Sequence, residues 1–213
     1  HYFFNAAPVK GKLANKNPDW YVLDNQDPLA DCLNLYDFIV GEYFARKDTE
    51  VLLVTGLSQK PYFKTEFYYR LKAHEEFLNK TGLTYEIVHP RMTRDFLIEF
   101  SDEKQAQEAQ ELLGRIQVGK ENTPLFGSID NRGLSLFVSL TYSDEITEGT
   151  CFTINNHEFN LFSEVSFVAI KNGMHQSKGY AFFTPGFAVY APSENSHVKN
   201  LHTSIKDFFN FSN

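Results

Sequence analysis

The run Val51-Leu52-Leu53-Val54, closed by Thr55-Gly56, constrains this chain more than any other stretch. Four consecutive apolar residues without alternation read as a strand buried on both faces, the usual signature of a parallel sheet covered by helices. The flanking patterns agree. Between Leu29 and Arg46, the residues Cys32, Tyr36, Ile39, Val40 and Tyr43 recur at helical spacing. A second helix is expected over 65–80, with Phe67, Leu71, His74 and Leu78 on one stripe and Gly82 as its C-cap. Strands at 84–88 and 95–100 lead into a helix over 102–116. It turns Ala106, Ala109, Leu113 and Ile116 inward and places Asp102-Glu103 at the positive end of its dipole.

Past Pro124 the period becomes two: Leu134, Leu136, Val138 and Leu140 alternate with Ser135, Phe137, Ser139 and Thr141. Cys151–Ile154 and His157–Leu161 flank Asn155-Asn156, a two-residue hairpin signal. Strands over 165–170 and 180–184 follow, and a closing amphipathic helix carries Val198, Leu201, Ile205 and Phe208. Residues 1–19 read as an irregular entry segment, and Trp20–Leu23 as a short strand. The expected fold class is α/β: a mixed, largely parallel sheet flanked by helices, with a strand-rich antiparallel part over 124–190. The chain is expected to form one α/β domain over 1–213, complete or part of a longer chain.

With 42% apolar and 15% aromatic residues, the chain has ample material for a packed core. Its formal charge of −7 opposes nonspecific attraction to nucleic acid or anionic lipid, so neither is expected as a partner. No apolar run is long enough to span a membrane, and no basic-then-apolar leader is visible, so a cytoplasmic location is expected. Two cysteines, Cys32 and Cys151, cannot build a disulfide framework or a thiolate zinc cage and are expected as reduced, half-buried thiols.

Four segments could carry chemistry. Thr55-Gly56-Leu57-Ser58-Gln59-Lys60-Pro61 follows the apolar strand, where ligands bind in open α/β sheets; Thr55, Ser58, Gln59 and Lys60 could hold an anion there or simply make a turn. His89 through Asp95 offers Arg91 and Arg94 as a phosphate or sulfate clamp, or as a structural Arg–Asp pair. Lys171 through Tyr180 is a polar loop in which His175 is a metal ligand, a general acid/base or a solvated side chain, with Lys178 beside it. Asp24, Asp27 and Asp31 could hold a divalent cation, or serve as turn and helix-start residues.

Taken together, these stretches resemble the C-terminal portion of alkaline-phosphatase-like enzymes, the superfamily of type I phosphodiesterases and sulfatases. Its Asp-bearing helix and following buried strand are similar to Asp37-Phe38-Ile39-Val40-Gly41 and to Asp48 through Thr55. Its Gly-x-His loop, then Gly and strand, is similar to Gly173-Met174-His175 and Gly179-Tyr180-Ala181-Phe182-Phe183. The resemblance spans about residues 20–190. Where the family carries Asp-His after the strand, this chain has Gly56-Leu57.

The resemblance implies a hydrolase-like domain that acts on or binds a phosphate or sulfate ester, a small anionic substrate. A metal-dependent phosphoric or sulfuric ester hydrolase would use zinc, manganese or magnesium. His175 would then be metal ligand or proton donor and Asp27 a second ligand. Thr55, Ser58, Gln59, Lys60, Arg91, Arg94 and Lys178 would contact the anion. A noncatalytic binding or assembly module is the alternative, and a metal-free α/β enzyme cradling a phosphorylated ligand at 55–60 is a third reading.

Overall fold

The computed structural model describes residues 2–4 and 17–211. Most of the segment read as an irregular entry, 5–16, lies outside the described residues. In chain order, α1 (Pro28–Phe44) is followed by β1 (Leu52–Val54), β2 (Ser58–Pro61), β3 (Phe67–Leu71), α2 (His74–Thr81), β4 (Ile87–Pro90), β5 (Asp95–Glu99) and α3 (Glu103–Gly114). Short strands β6 (Gln117–Val118), β7 (Thr123–Pro124), β8 (Ser128–Asn131), β9 (Ser135–Ser139), β10 (Cys151–Ile154) and β11 (His157–Asn160) come next. The chain ends with α4 (Leu161–Glu164), β12 (Val165–Ile170), β13 (Gly173–Gln176), β14 (Ala181–Phe183), α5 (Pro185–Ala188) and α6 (Asn200–Phe208). Two compact units result, one made of residues 1–63 and 172–213, the other of 64–171.

The unit over 64–171 holds nearly all the core. Every buried apolar side chain among the described residues, except Phe187, lies between Phe67 and Ile170. Two four-stranded sheets, β4-β5-β9-β8 and β11-β10-β6-β7, and the pair β12-β3 build it. Helix α3 starts where Asp102 accepts a hydrogen bond from the Gln105 backbone N–H at 2.8 Å, and it buries Ala106, Ala109 and Leu113 as its spacing predicts. Rings of Phe77, Phe96, Phe126 and Phe152 stack or meet edge to face in the centre, and all four are fully buried. The hairpin β10–β11 turns at Asn155-Asn156, both at positive φ, as the two-residue loop requires.

One expected helix is replaced. Residues 65–80 form strand β3 and then helix α2, because Phe67, Tyr68 and Tyr69 are all buried and pair with β12. An aromatic run of this kind fits a pleated, packed surface better than a helix stripe. Trp20–Leu23 is a turn rather than a strand.

The other unit consists of α1, two separate two-stranded ribbons (β1–β14 and β2–β13), α5 and α6. Across both units the expected largely parallel sheet flanked by helices is overturned: the sheets are small, with two to four strands each, and every strand pairing among the described residues is antiparallel. The physical reason lies in the connections. Residues 91–94 join the paired strands β4 and β5 and residues 155–156 join the paired strands β10 and β11, and a parallel crossover needs a dozen or more residues. The apolar run that suggested a doubly covered strand is an exposed edge: Leu53 keeps 47% of its surface.

Glu50 fastens the end of the β1–β14 ribbon. Its carboxylate accepts hydrogen bonds from Thr184 Oγ1 and from the Phe187 backbone N–H, while Thr184 Oγ1 in turn accepts from Val51 N–H at 2.8 Å. The chain therefore turns directly from β14 into α5, and Phe187 packs on Phe183 and Phe208.

Candidate functional site

The segments Thr55–Pro61 and Lys171–Tyr180 pair with each other. They read as loops in the sequence, yet both contain strand: β2 and β13 run antiparallel with Ser58 opposite Gln176, Gln59 opposite His175, Lys60 opposite Met174 and Pro61 opposite Gly173. Successive side chains on a strand point to opposite faces, and directly opposed residues share a face. The register thus divides the candidates. Ser58, Lys60 and Gln176 occupy one face of the ribbon, and Gln59 and His175 the other.

On the first face, Ser58 Oγ donates to the Lys178 carbonyl at 2.6 Å and accepts from Gln176 Nε2 at 2.8 Å. Its proton is committed to a backbone acceptor, whereas a serine nucleophile needs a base to take that proton. Lys60 sits two residues along the same face and is exposed. The exposed Lys178, whose carbonyl holds Ser58, places its ammonium 5.5 Å from the centre of the Tyr180 ring. Lys60 thus shares a strand face with the locked Ser58 hydroxyl, and Lys178 meets that hydroxyl through its backbone carbonyl.

On the second face, Gln59 Oε1 is buried and has no hydrogen-bond partner among the described residues, and His175 is exposed. An unmatched carbonyl oxygen suits a donor rather than an anion. Thr55 is occupied in the adjoining ribbon: its N–H donates to Tyr180 O at 2.8 Å and its Oγ1 accepts from Tyr180 N–H at 3.0 Å.

Gly179 explains how the two segments come so close. A Cβ on it would stand 2.0 Å from the Thr55 carbonyl oxygen and 3.2 Å from the Gly56 carbonyl carbon. Only a residue without a side chain fits against that backbone. Gly56, by contrast, has nothing within 4 Å of where a Cβ would lie.

The remaining candidates sit elsewhere. Asp27 is the N-cap of α1, accepting from Ala30 N–H at 3.0 Å, and Asp31 lies in the first helical turn. Asp24 is an exposed turn residue. No group of three or more His, Cys, Asp or Glu side chains converges among the described residues. The donors present do not fit the metal centre that the resemblance implies, and no step is derived through one.

Arg91 and Arg94 belong to the other unit, at the β4–β5 turn. Arg91 is exposed, while Arg94 lies over the buried Tyr68 ring with its guanidinium carbon 4.2 Å from the centroid. That stacking, rather than an Arg–Asp bridge, holds it; Asp95 instead accepts from Ser139 Oγ at 2.5 Å. His89 faces Glu99 across the same two strands at 3.1 Å. Cys32 is exposed on α1 and Cys151 half-buried.

Gln176 carries no sequence signal of its own, and Gly179 enters the sequence reading only as part of a motif, not for its close approach to Thr55. Gln176 lay inside a named loop, but its role depends on the strand register that sets it opposite Ser58. Gly179 had a signal, a glycine between polar residues before a strand, which also marks any ordinary turn. Comparison with protein-family models, with curated proteins and with solved structures finds no match for this chain.

Proposed function

We propose that this chain binds the phosphate or sulfate group of an ester on the face of the β2–β13 ribbon that carries Ser58, Lys60 and Gln176, with Lys178 beside it. The supporting observation is the pairing itself: segments more than a hundred residues apart set Lys60 on one face with a serine that is fixed by Gln176 and by the Lys178 carbonyl. Ser58 and Lys60 also belong to the segment whose polar residues, following the apolar run 51–54, could hold an anion on the sequence alone. The role is binding by a hydrolase-like domain rather than cleavage, since Ser58 gives its proton to a carbonyl and His175 points to the opposite face.

Exposed charge pairs contribute about 0.2–1 kcal/mol each, so binding is weak and salt-sensitive. Isothermal titration with p-nitrophenyl phosphate and p-nitrophenyl sulfate at low salt tests the proposal. Lys60→Ala with Lys178→Ala should weaken binding roughly 2- to 30-fold. Unchanged affinity in that double variant would refute it.

The second reading, ester hydrolysis, is favoured by one observation: His175 lies on the strand directly beside the Ser58 segment. Turnover of phosphomonoester, phosphodiester and sulfate ester with added zinc, manganese or magnesium, abolished by chelator and by His175→Ala, would replace binding with catalysis.

A further inference from the structure

We propose that the ester bound at the β2–β13 ribbon is an aryl ester, its ring stacked on the exposed side chain of Tyr180 while its phosphate or sulfate group stays on Lys178. The inference rests on the anion reading above and adds the chemistry of the other half of the ligand. Tyr180 keeps 59% of its surface. Among the described residues no aromatic ring stacks on it, and the group that meets its face is the Lys178 ammonium, 5.5 Å from the ring centre.

The backbone that carries this ring is fixed. Tyr180 N–H donates to Thr55 Oγ1 at 3.0 Å, and the Tyr180 carbonyl accepts from Thr55 N–H at 2.8 Å. Gly179, the preceding residue, lies so close to the Thr55 and Gly56 backbone that no Cβ fits. One residue further back, the Lys178 carbonyl holds the Ser58 hydroxyl at 2.6 Å. An aromatic side chain with two χ angles on so constrained a backbone costs little to order when a ligand arrives.

Distance selects the organic half of the ester. Aromatic pairs are favoured with ring centres about 4.5–7 Å apart. An anion paired with the Lys178 ammonium is therefore held within stacking reach of the Tyr180 ring, and a planar ring joined directly to the ester oxygen covers that span. A short alkyl group has no π face to offer and gains nothing comparable there.

Isothermal titration of the full chain at low salt, with phenyl phosphate against methyl phosphate and phenyl sulfate against methyl sulfate, tests this. The phenyl esters should bind roughly 2- to 12-fold tighter. Tyr180→Ala and Tyr180→Leu should each remove that preference and leave methyl ester binding in place, since Leu keeps apolar bulk without a π face. Tyr180→Phe should retain it. Should a variant misfold, NMR of the unmodified chain decides: phenyl phosphate, and not methyl phosphate, should shift the Tyr180 ring protons. If neither ester binds, the anion site fails and this proposal fails with it. Equal binding of the two esters, a preference that survives in Tyr180→Ala, or Tyr180 ring protons indifferent to phenyl phosphate overturns the aryl assignment alone.

Discussion

At the scale of single residues, close approach and committed hydrogen bonds decide what each position tolerates. Gly179→Ala would drive a methyl group into the Thr55 carbonyl, which is backbone and cannot swing aside. The expected cost is about 1–3 kcal/mol, whereas Gly56→Ala, with open space around it, should stay within about 0.5 kcal/mol; urea unfolding of the two variants measures the contrast. His74 behaves differently. It is buried against the Phe96 ring, and desolvation, then the Arg70 charge, holds its pKa below the usual histidine value. The unfolded chain therefore takes up the proton first. The stability that His74 contributes is complete above the ordinary histidine pKa of about 6.5 and is lost as pH falls below it toward the folded value. Thermal unfolding between about pH 7.5 and pH 5 should show this loss, and His74→Gln should flatten the slope.

At the scale of elements, the strongly periodic segments were legible and the aromatic ones were not. Helices α1 and α3 and the hairpin at Asn155-Asn156 follow from spacing, caps and turn residues that act locally. Strand β3 does not, because Phe67, Leu71, His74 and Leu78 also fit a helical stripe, and only pairing with β12 settles the choice. Its packing makes a specific prediction. The buried Tyr69 hydroxyl accepts the Ile146 backbone N–H at 2.8 Å, so Tyr69→Phe strands that donor and should cost about 1–3 kcal/mol by chemical denaturation. The run Val51–Val54 misled for a related reason: continuous apolarity marks a strand that wants cover on both faces, but says nothing about the direction of its neighbour. The location of the candidate site, just after that run, was legible. Its division into two faces was not, since one residue of register shift would set Ser58 opposite His175 on a single face.

At the scale of the whole molecule, the distribution of the core separates the two units. Residues 64–171 hold nearly every buried apolar side chain, and Lys171 closes that segment by donating its N–H to Glu66 O at 2.9 Å. A fragment spanning Lys64–Lys171 should therefore fold alone with a cooperative thermal transition, and Phe77→Ala within it should cost about 3–5 kcal/mol. The companion unit keeps its apolar helix in contact with solvent and offers the paired strands on which the proposed ligand sits. The most direct test is a phosphate titration followed by backbone amide NMR of the full chain. Saturable shifts concentrated at Ser58, Lys60, Gln176 and Lys178 are predicted. Shifts confined to Arg91 and Arg94, or none at the β2–β13 ribbon, would contradict the assignment.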